Sequence, residues 1–145
     1  MVIDSRKDAR AASAGSILIN RLMVRGAAGA VTDGGFRDSP EIAALPFPTY
    51  HQRPSAPTNL TVHQAMDINV PIGCGDAPVF PGDIIVGDRE GVVVIPAHMV
   101  EEITAEALGG GDHQYVEPAA ALGGEQGRDA TGTCGNAALL EVGHQ

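Results

Sequence analysis

Apolar residues recur along this chain in short bursts separated by glycine, proline and aspartate, a rhythm that predicts many brief elements rather than a few long helices. Met1 to Asp4 is an apolar run ending in an acid, and it reads as the end of a buried strand whose earlier part is missing. Ser5 to Ser13 is polar and rich in alanine. From Gly15 onward, Ile17, Leu18, Leu22 and more loosely Arg25 follow helical spacing. With Ser13 or Gly15 as the start signal and Gly26 as the stop, a helix is expected over roughly 14 to 25. Gly29-Ala30-Val31-Thr32 then predicts a short buried strand feeding a loop from Asp33 to Asp38. Ser39-Pro40-Glu41-Ile42 carries the cap and first-turn proline of a short helix. Leu45 to Tyr50 is extended because each proline restricts its predecessor, and His51 to Asn59 reads as loop.

Further on, Ile68-Asn69-Val70, Val79-Phe80, Ile84-Ile85-Val86 and Val92-Val93-Val94-Ile95 are β-type runs divided by Gly-Asp and Pro-Gly-Asp turns. They predict a compact β layer. Pro96 closes the last run, and Ala97 to Leu108 predicts an amphipathic helix with Val100, Ile103 and Ala107 inward and Glu101, Glu102 and Glu106 outward. Past Leu108 the pattern gives way to glycine and alanine without periodicity. The expected organisation is one domain over 1–108 and a poorly ordered tail over 109–145.

Composition adjusts this picture in three ways. With 43% hydrophobic residues but only 3% aromatic, the core of the 145-residue chain has to be built from Val, Ile, Leu and Ala, and 19 glycines and 10 prolines favour mixed α/β architecture over a bundle. A net charge of -9 with dispersed basic residues argues against direct nucleic-acid binding. Cys74 and Cys134 stand far apart with no metal-type spacing, no apolar run is long enough to span a membrane, and the N-terminus lacks a signal-peptide pattern. These features predict free thiols and a soluble, cytoplasmic protein.

The chemistry-bearing stretch runs from Gly15 to Asp38. Unpaired N–H groups at a helix start make an anion site that suits a substrate carboxylate. The Arg37 guanidinium is a planar fork for the same carboxylate, and the neighbouring Asp38 is a hard oxygen ligand suited to Mg²⁺. Taken alone, an Arg-Asp pair after glycines is most often a surface turn. Asp33-Gly34 and Gly87-Asp88 read as tight turns, the histidines show no ligand spacing, and Cys74 reads as a small thiol buried in a glycine turn.

The run from Arg25 to Asp38, RGAAGAVTDGGFRD, resembles the RraA-like pattern RGxxGxVxDGxxRD. Leu45-Pro46-Phe47-Pro48 and the stretch from Pro81 to Pro96 continue the likeness, the latter close to PGDxVxGDxxGVVVxP, so that the resemblance covers about residues 1 to 107. It implies a swivelling β/β/α-type domain lacking its N-terminal portion, assembled as trimers or hexamers with an active site between subunits. It also implies a divalent-metal-dependent lyase acting on 2-oxo acids, either a 4-hydroxy-2-oxo acid aldolase or an oxaloacetate decarboxylase giving pyruvate. In those enzymes the residues matching Gly15, Ser16, Ile17 and Leu18 bind the substrate carboxylate, the match to Arg37 binds substrate, and the match to Asp38 holds Mg²⁺ or Mn²⁺. Two departures stand out. The family's metal-dependent aldolases carry an acid 21 positions before the arginine, where this chain has Ser16, and roughly the N-terminal third of the family's length precedes Met1. Two other readings follow: a non-catalytic regulator that binds a ribonuclease as a protein partner, and an inactive truncated remnant.

Overall fold

Short strands alternate between two parallel sheets as the chain advances. In the computed structural model, which describes residues 1–109 and 138–141, β1 (Val2–Ile3), β3 (Ala30–Thr32) and β5 (Thr49–Tyr50) form one sheet in that order. The intervening strands β2 (Ala12–Ala14), β4 (Gly35–Phe36) and β6 (Arg53–Pro54) form the other. All four pairings are parallel, so each return needs a crossover. Helix α1 (Ser16–Val24) joins β2 to β3, and α2 (Ser39–Ala43) joins β4 to β5. The pairing of β2 with β4 is irregular: Ala12 faces Gly35 and Ala14 faces Phe36, a bulge that places an extra residue on β2.

Helix α1 starts at Ser16, two residues later than its periodicity suggests, because Ala12 to Ala14 is already committed to a strand. Its buried residue is Ile19, with Leu22 and Met23 half-buried beneath the helix. Ile17 and Leu18, taken from the sequence as part of the apolar pattern, are instead exposed at the helix start, Ile17 to 80%. Ile19 joins Ala14, Ala30, Phe36, Ile42 and Phe47 in one core, and burying Phe36 and Ile19 completely contributes about 1.5 to 3 kcal/mol each.

A second core forms around Val31, Val79 and Ile85, where the first sheet meets the β layer. That layer comprises a hairpin of β7 (Ile72–Cys74) with β8 (Ala77–Val79), and β9 (Ile84–Gly87) paired antiparallel to β10 (Val92–Ile95). On its other edge β9 pairs with β11 (Ala138–Glu141), and residues 110–137 and 142–145 of the expected tail lie outside the described residues, as does Cys134. The run Ile68-Asn69-Val70 is not a strand: Asn69 has φ +60°, both apolar neighbours are exposed, and the strand begins at Ile72. Val79 is buried but Phe80 lies outside the strand and is half-exposed. The last helix forms as a 3₁₀ turn (Ala97–Met99) running into α3 (Val100–Gly109), in which Val100 and Ile103 are half-buried and Ala107 is exposed.

The turns of the β layer have physical causes. Asp83, 4% exposed, accepts N–H bonds from Phe80 at 2.8 Å and from Ala97 at 3.0 Å, tying the entry of β9 to the exit of β10. A Cβ at Gly87 would lie 2.6 Å from the Tyr50 ring, so glycine there lets the first sheet close against β9. Asp88 closes the hairpin by accepting from the Glu90 and Gly91 amides.

Candidate active site

The pairing of β2 with β4 brings the two candidate segments together, since α1 leaves the end of β2 where Arg37 and Asp38 leave the end of β4. The Arg37 amide donates to the Ala14 carbonyl at 3.0 Å, fixing the loop against the helix start. Gly15 sits at the N-cap with φ -130°, and the Ile19 amide closes the first helical turn onto its carbonyl. The Ser16, Ile17 and Leu18 amides precede that bond and face out of the helix.

Asp38 occupies part of this anion site itself. The Ser16 amide and the Ser16 hydroxyl each donate to Asp38 Oδ2 at 3.0 Å, and Arg37 Nε lies 3.7 Å from the same oxygen. The Ser16 amide, then its hydroxyl, and more weakly the Arg37 charge hold the Asp38 carboxyl below its ordinary range, against partial burial that opposes the shift. Asp38 is in the left-handed region at φ +57°, which an aspartate tolerates better than most residues. A Cβ on Gly15 would lie 2.8 Å from both Arg37 Nε and Asp38 Oδ2, so the close approach of the pair requires glycine there. All six predicted residues, Gly15, Ser16, Ile17, Leu18, Arg37 and Asp38, are thus gathered at one helix start.

Among the described residues no group of three or more His, Cys, Asp or Glu side chains is placed to hold a metal ion. The donors at the helix start are one carboxylate and one hydroxyl. That set fits a cation such as Mg²⁺, which keeps several waters and binds proteins through one or two carboxylates, with substrate oxygens completing its shell. Asp38 Oδ1 accepts no hydrogen bond from the described residues and remains available as a ligand.

Asp33 proves to be more than a turn residue. It is buried, and its carboxylate accepts from the amides of Ser5 at 2.6 Å, Lys7 at 3.0 Å and Gly75 at 3.1 Å, joining three segments. Arg6 and Lys7 take positive φ to aim these amides, and the Lys7 ammonium pairs with Asp76. Beside this knot the hydroxyls of Ser5, Ser13 and Thr32 bond one another, Ser13 to Thr32 at 2.9 Å. The Asp-Gly dipeptide signalled the turn, but only long-range packing supplies the three donors. Cys74 is half-buried, and burial first, then the Asp33 charge, pushes its thiol up to about 11, in keeping with an unreactive cysteine. His51 is half-buried against Phe36, their rings 5.3 Å apart, and burial lowers its pKa. A cavity of about 770 Å³ lies on the other side of the first sheet, lined by Val31, Tyr50, Cys74, Val79 and Ile85 among others. It includes none of the six site residues, and although Asp33, His51, Asp76, Asp88, Arg89 and Glu90 also line it, the α1 start is the better candidate because an Arg-Asp pair meets outward-facing helix amides there.

The family model for Aldolase/RraA matches residues 1–94 of this chain. The chain belongs to the RraA-like family. It is 38% identical over 107 residues to a Halalkalibacterium halodurans protein provisionally named 4-hydroxy-4-methyl-2-oxoglutarate aldolase, covering 74% of this chain and 50% of that protein. It is 43% identical over 88 residues to an uncharacterized Methanocaldococcus jannaschii protein, covering 58% of this chain and 40% of the relative. The chain thus spans about half the length of the curated relatives it matches. Its fold is similar to that of Streptomyces coelicolor RraAS2, described as an unusual member of the RNase ES inhibitor RraA protein family. The TM-score is 0.63 at 28% identity, over 74% of this chain and 55% of the other. The mixed α/β architecture is therefore that of RraA-like proteins. No helix among the described residues is long and apolar enough to cross a membrane.

Proposed function

We propose that this RraA-like chain is a lyase that acts on small 2-oxo acids, by aldol cleavage of a 4-hydroxy-2-oxo acid, by carbon-dioxide loss from oxaloacetate, or both, with the residues at the helix start favouring the second. The observation that carries this reading is the meeting of a guanidinium, a carboxylate and outward-facing helix amides within one substrate's reach. The substrate carboxylate takes the Ile17 and Leu18 amides and the Arg37 fork, which fix its orientation. A divalent cation such as Mg²⁺ or Mn²⁺ held through Asp38 would supply Lewis-acid polarisation of the 2-oxo group. Ser16 contributes a hydroxyl where a carboxylate would serve as a proton acceptor, and its proton is already given to Asp38. Decarboxylation needs no such acceptor, which is why it stands ahead of aldol cleavage. Assembly into trimers or hexamers that enclose the site belongs to the same proposal.

Purified protein incubated with oxaloacetate and Mg²⁺ is expected to release pyruvate above the metal-only background, and Asp38→Ala and Arg37→Ala to abolish the excess. Pyruvate at background level with the unaltered chain removes the reading. A second reading, a regulator that binds a ribonuclease, is favoured by the likeness to a member of the RNase ES inhibitor family. It predicts co-purification with an endoribonuclease that persists in Asp38→Ala, whereas the lyase reading makes that carboxylate indispensable.

A further inference from the structure

Asp38 has an alternative to facing a cation. Its Oδ2 lies 3.7 Å from Arg37 Nε, and a carboxylate that put both oxygens on the guanidinium fork would take the strongest geometry available to such a pair. In that arrangement no oxygen would be left for a ligand. The structure holds the carboxylate in a different one. Ser16 delivers two donors, its amide and its hydroxyl, to the same oxygen at 3.0 Å each, and Oδ1 accepts nothing from the described residues. Ser16 is itself anchored, because Asn20 Nδ2 donates to its carbonyl at 2.9 Å one helical turn on. Gly15 leaves the space in which this contact closes.

We infer that Ser16 is a positioning residue: its hydroxyl, acting with its amide, saturates Oδ2 of Asp38 and so presents Oδ1 as a single-oxygen ligand for a hydrated divalent cation. The inference rests on the lyase reading for the cation and deepens it by assigning how one carboxylate suffices. Ligation through both oxygens would have to break both Ser16 bonds, so the clamp favours small cations that take one carboxylate oxygen and retain water. The hydroxyl is needed because the amide alone gives Oδ2 one donor, which leaves the carboxylate free to pivot toward Arg37.

Binding of Mn²⁺ alone to the full chain, followed by the loss of the free-ion signal in electron paramagnetic resonance, tests this without relying on turnover. Ser16→Ala is expected to weaken Mn²⁺ binding about tenfold, the lower end of what loss of an outer-shell partner costs. Ser16→Thr, which keeps the hydroxyl, should bind nearly as the unaltered chain does, and Asp38→Asn should lose the site. Circular-dichroism melts of each variant separate loss of fold from loss of ligand. Equal affinity in Ser16→Ala and the unaltered chain, or a Ser16→Thr as weak as Ser16→Ala, overturns the positioning role while the lyase reading stands. If the unaltered chain takes up no Mn²⁺, the positioning role falls, while the lyase reading is decided separately by pyruvate release from oxaloacetate.

Discussion

Replacing Gly15 by alanine tests the site more sharply than removing either charged group. The backbone there has φ -130° and ψ -178°, which alanine adopts freely, so the substitution introduces no conformational strain. What it introduces is one methyl group facing Arg37 and Asp38. The new carbon would sit 2.8 Å from Arg37 Nε and from Asp38 Oδ2 where ordinary contact starts at 3.4 Å, so both groups must retreat by about 0.6 Å. Both obstacles are side chains at a half-exposed surface, and they can move without disturbing the core. Stability is expected to fall by no more than about 1 kcal/mol, the usual cost of alanine in place of glycine at a helix N-cap. Activity should suffer far more, because a misplacement of about 1 Å costs on the order of a hundredfold in rate. For the smaller displacement here, kcat/KM for pyruvate release from oxaloacetate is expected to drop roughly ten- to a hundredfold. Steady-state kinetics beside a thermal melt decide the matter. An unchanged kcat/KM would show that the close approach of Arg37 and Asp38 to the helix start is irrelevant to turnover, and a collapsed melt would show that Gly15 serves the fold.

Other outcomes follow from neighbouring features. Asp33→Ala leaves three amides without their acceptor and should cost about 3 kcal/mol in urea unfolding, while a loss below about 1 kcal/mol would mean that the amides find other partners. The Asp38 carboxyl, followed by carbon NMR, should titrate below its ordinary 3.8. Since the folded form favours the charged carboxylate, its contribution to stability is complete above the unfolded pKa and is lost as pH falls through the lower folded value, and a midpoint at or above 3.8 contradicts the Ser16 contacts. In a Cys134→Ser background, Cys74 should alkylate far more slowly than a free thiol at pH 8, where about one thiol in a thousand is ionised for a pKa of about 11. Alkylation at the rate of an exposed thiol would count against its burial.

Much of the β layer was legible because its strands are runs of valine and isoleucine between turns that need glycine or aspartate, as at Gly87-Asp88 and Gly91. Strand β2 was not, because Ala12-Ser13-Ala14 carries no β-branched residue and owes its conformation to the neighbours it pairs with. Ile68 and Val70 misled for the opposite reason: apolar character stands in for burial, and these side chains are exposed. At the site, the helix start and the Arg-Asp pair could be named from the chain, and their separation of about twenty residues fitted one supersecondary unit. What pattern could not supply was the contact between them, in which Asp38 turns back onto the Ser16 amide. That depends on the pairing of β2 with β4 and on a left-handed Asp38, neither of which leaves a periodic trace.

The irregular step between β2 and β4 has an implication for how this chain tolerates changes of length. The residue gained at Ala12 to Ala14 sets the phase with which the chain enters α1, while Arg37 keeps the phase of β4. Deleting a single codon there would rotate the helix entry relative to the loop and point Ser16 away from its partner, even if every remaining side chain were kept. The linker from Gly26 to Gly29 has a different duty: the Gly26 and Ala27 amides close the helix end onto the Met23 and Leu22 carbonyls, and the Gly29 carbonyl accepts from the Met1 ammonium, so its length is set by the exit of α1 rather than by the site.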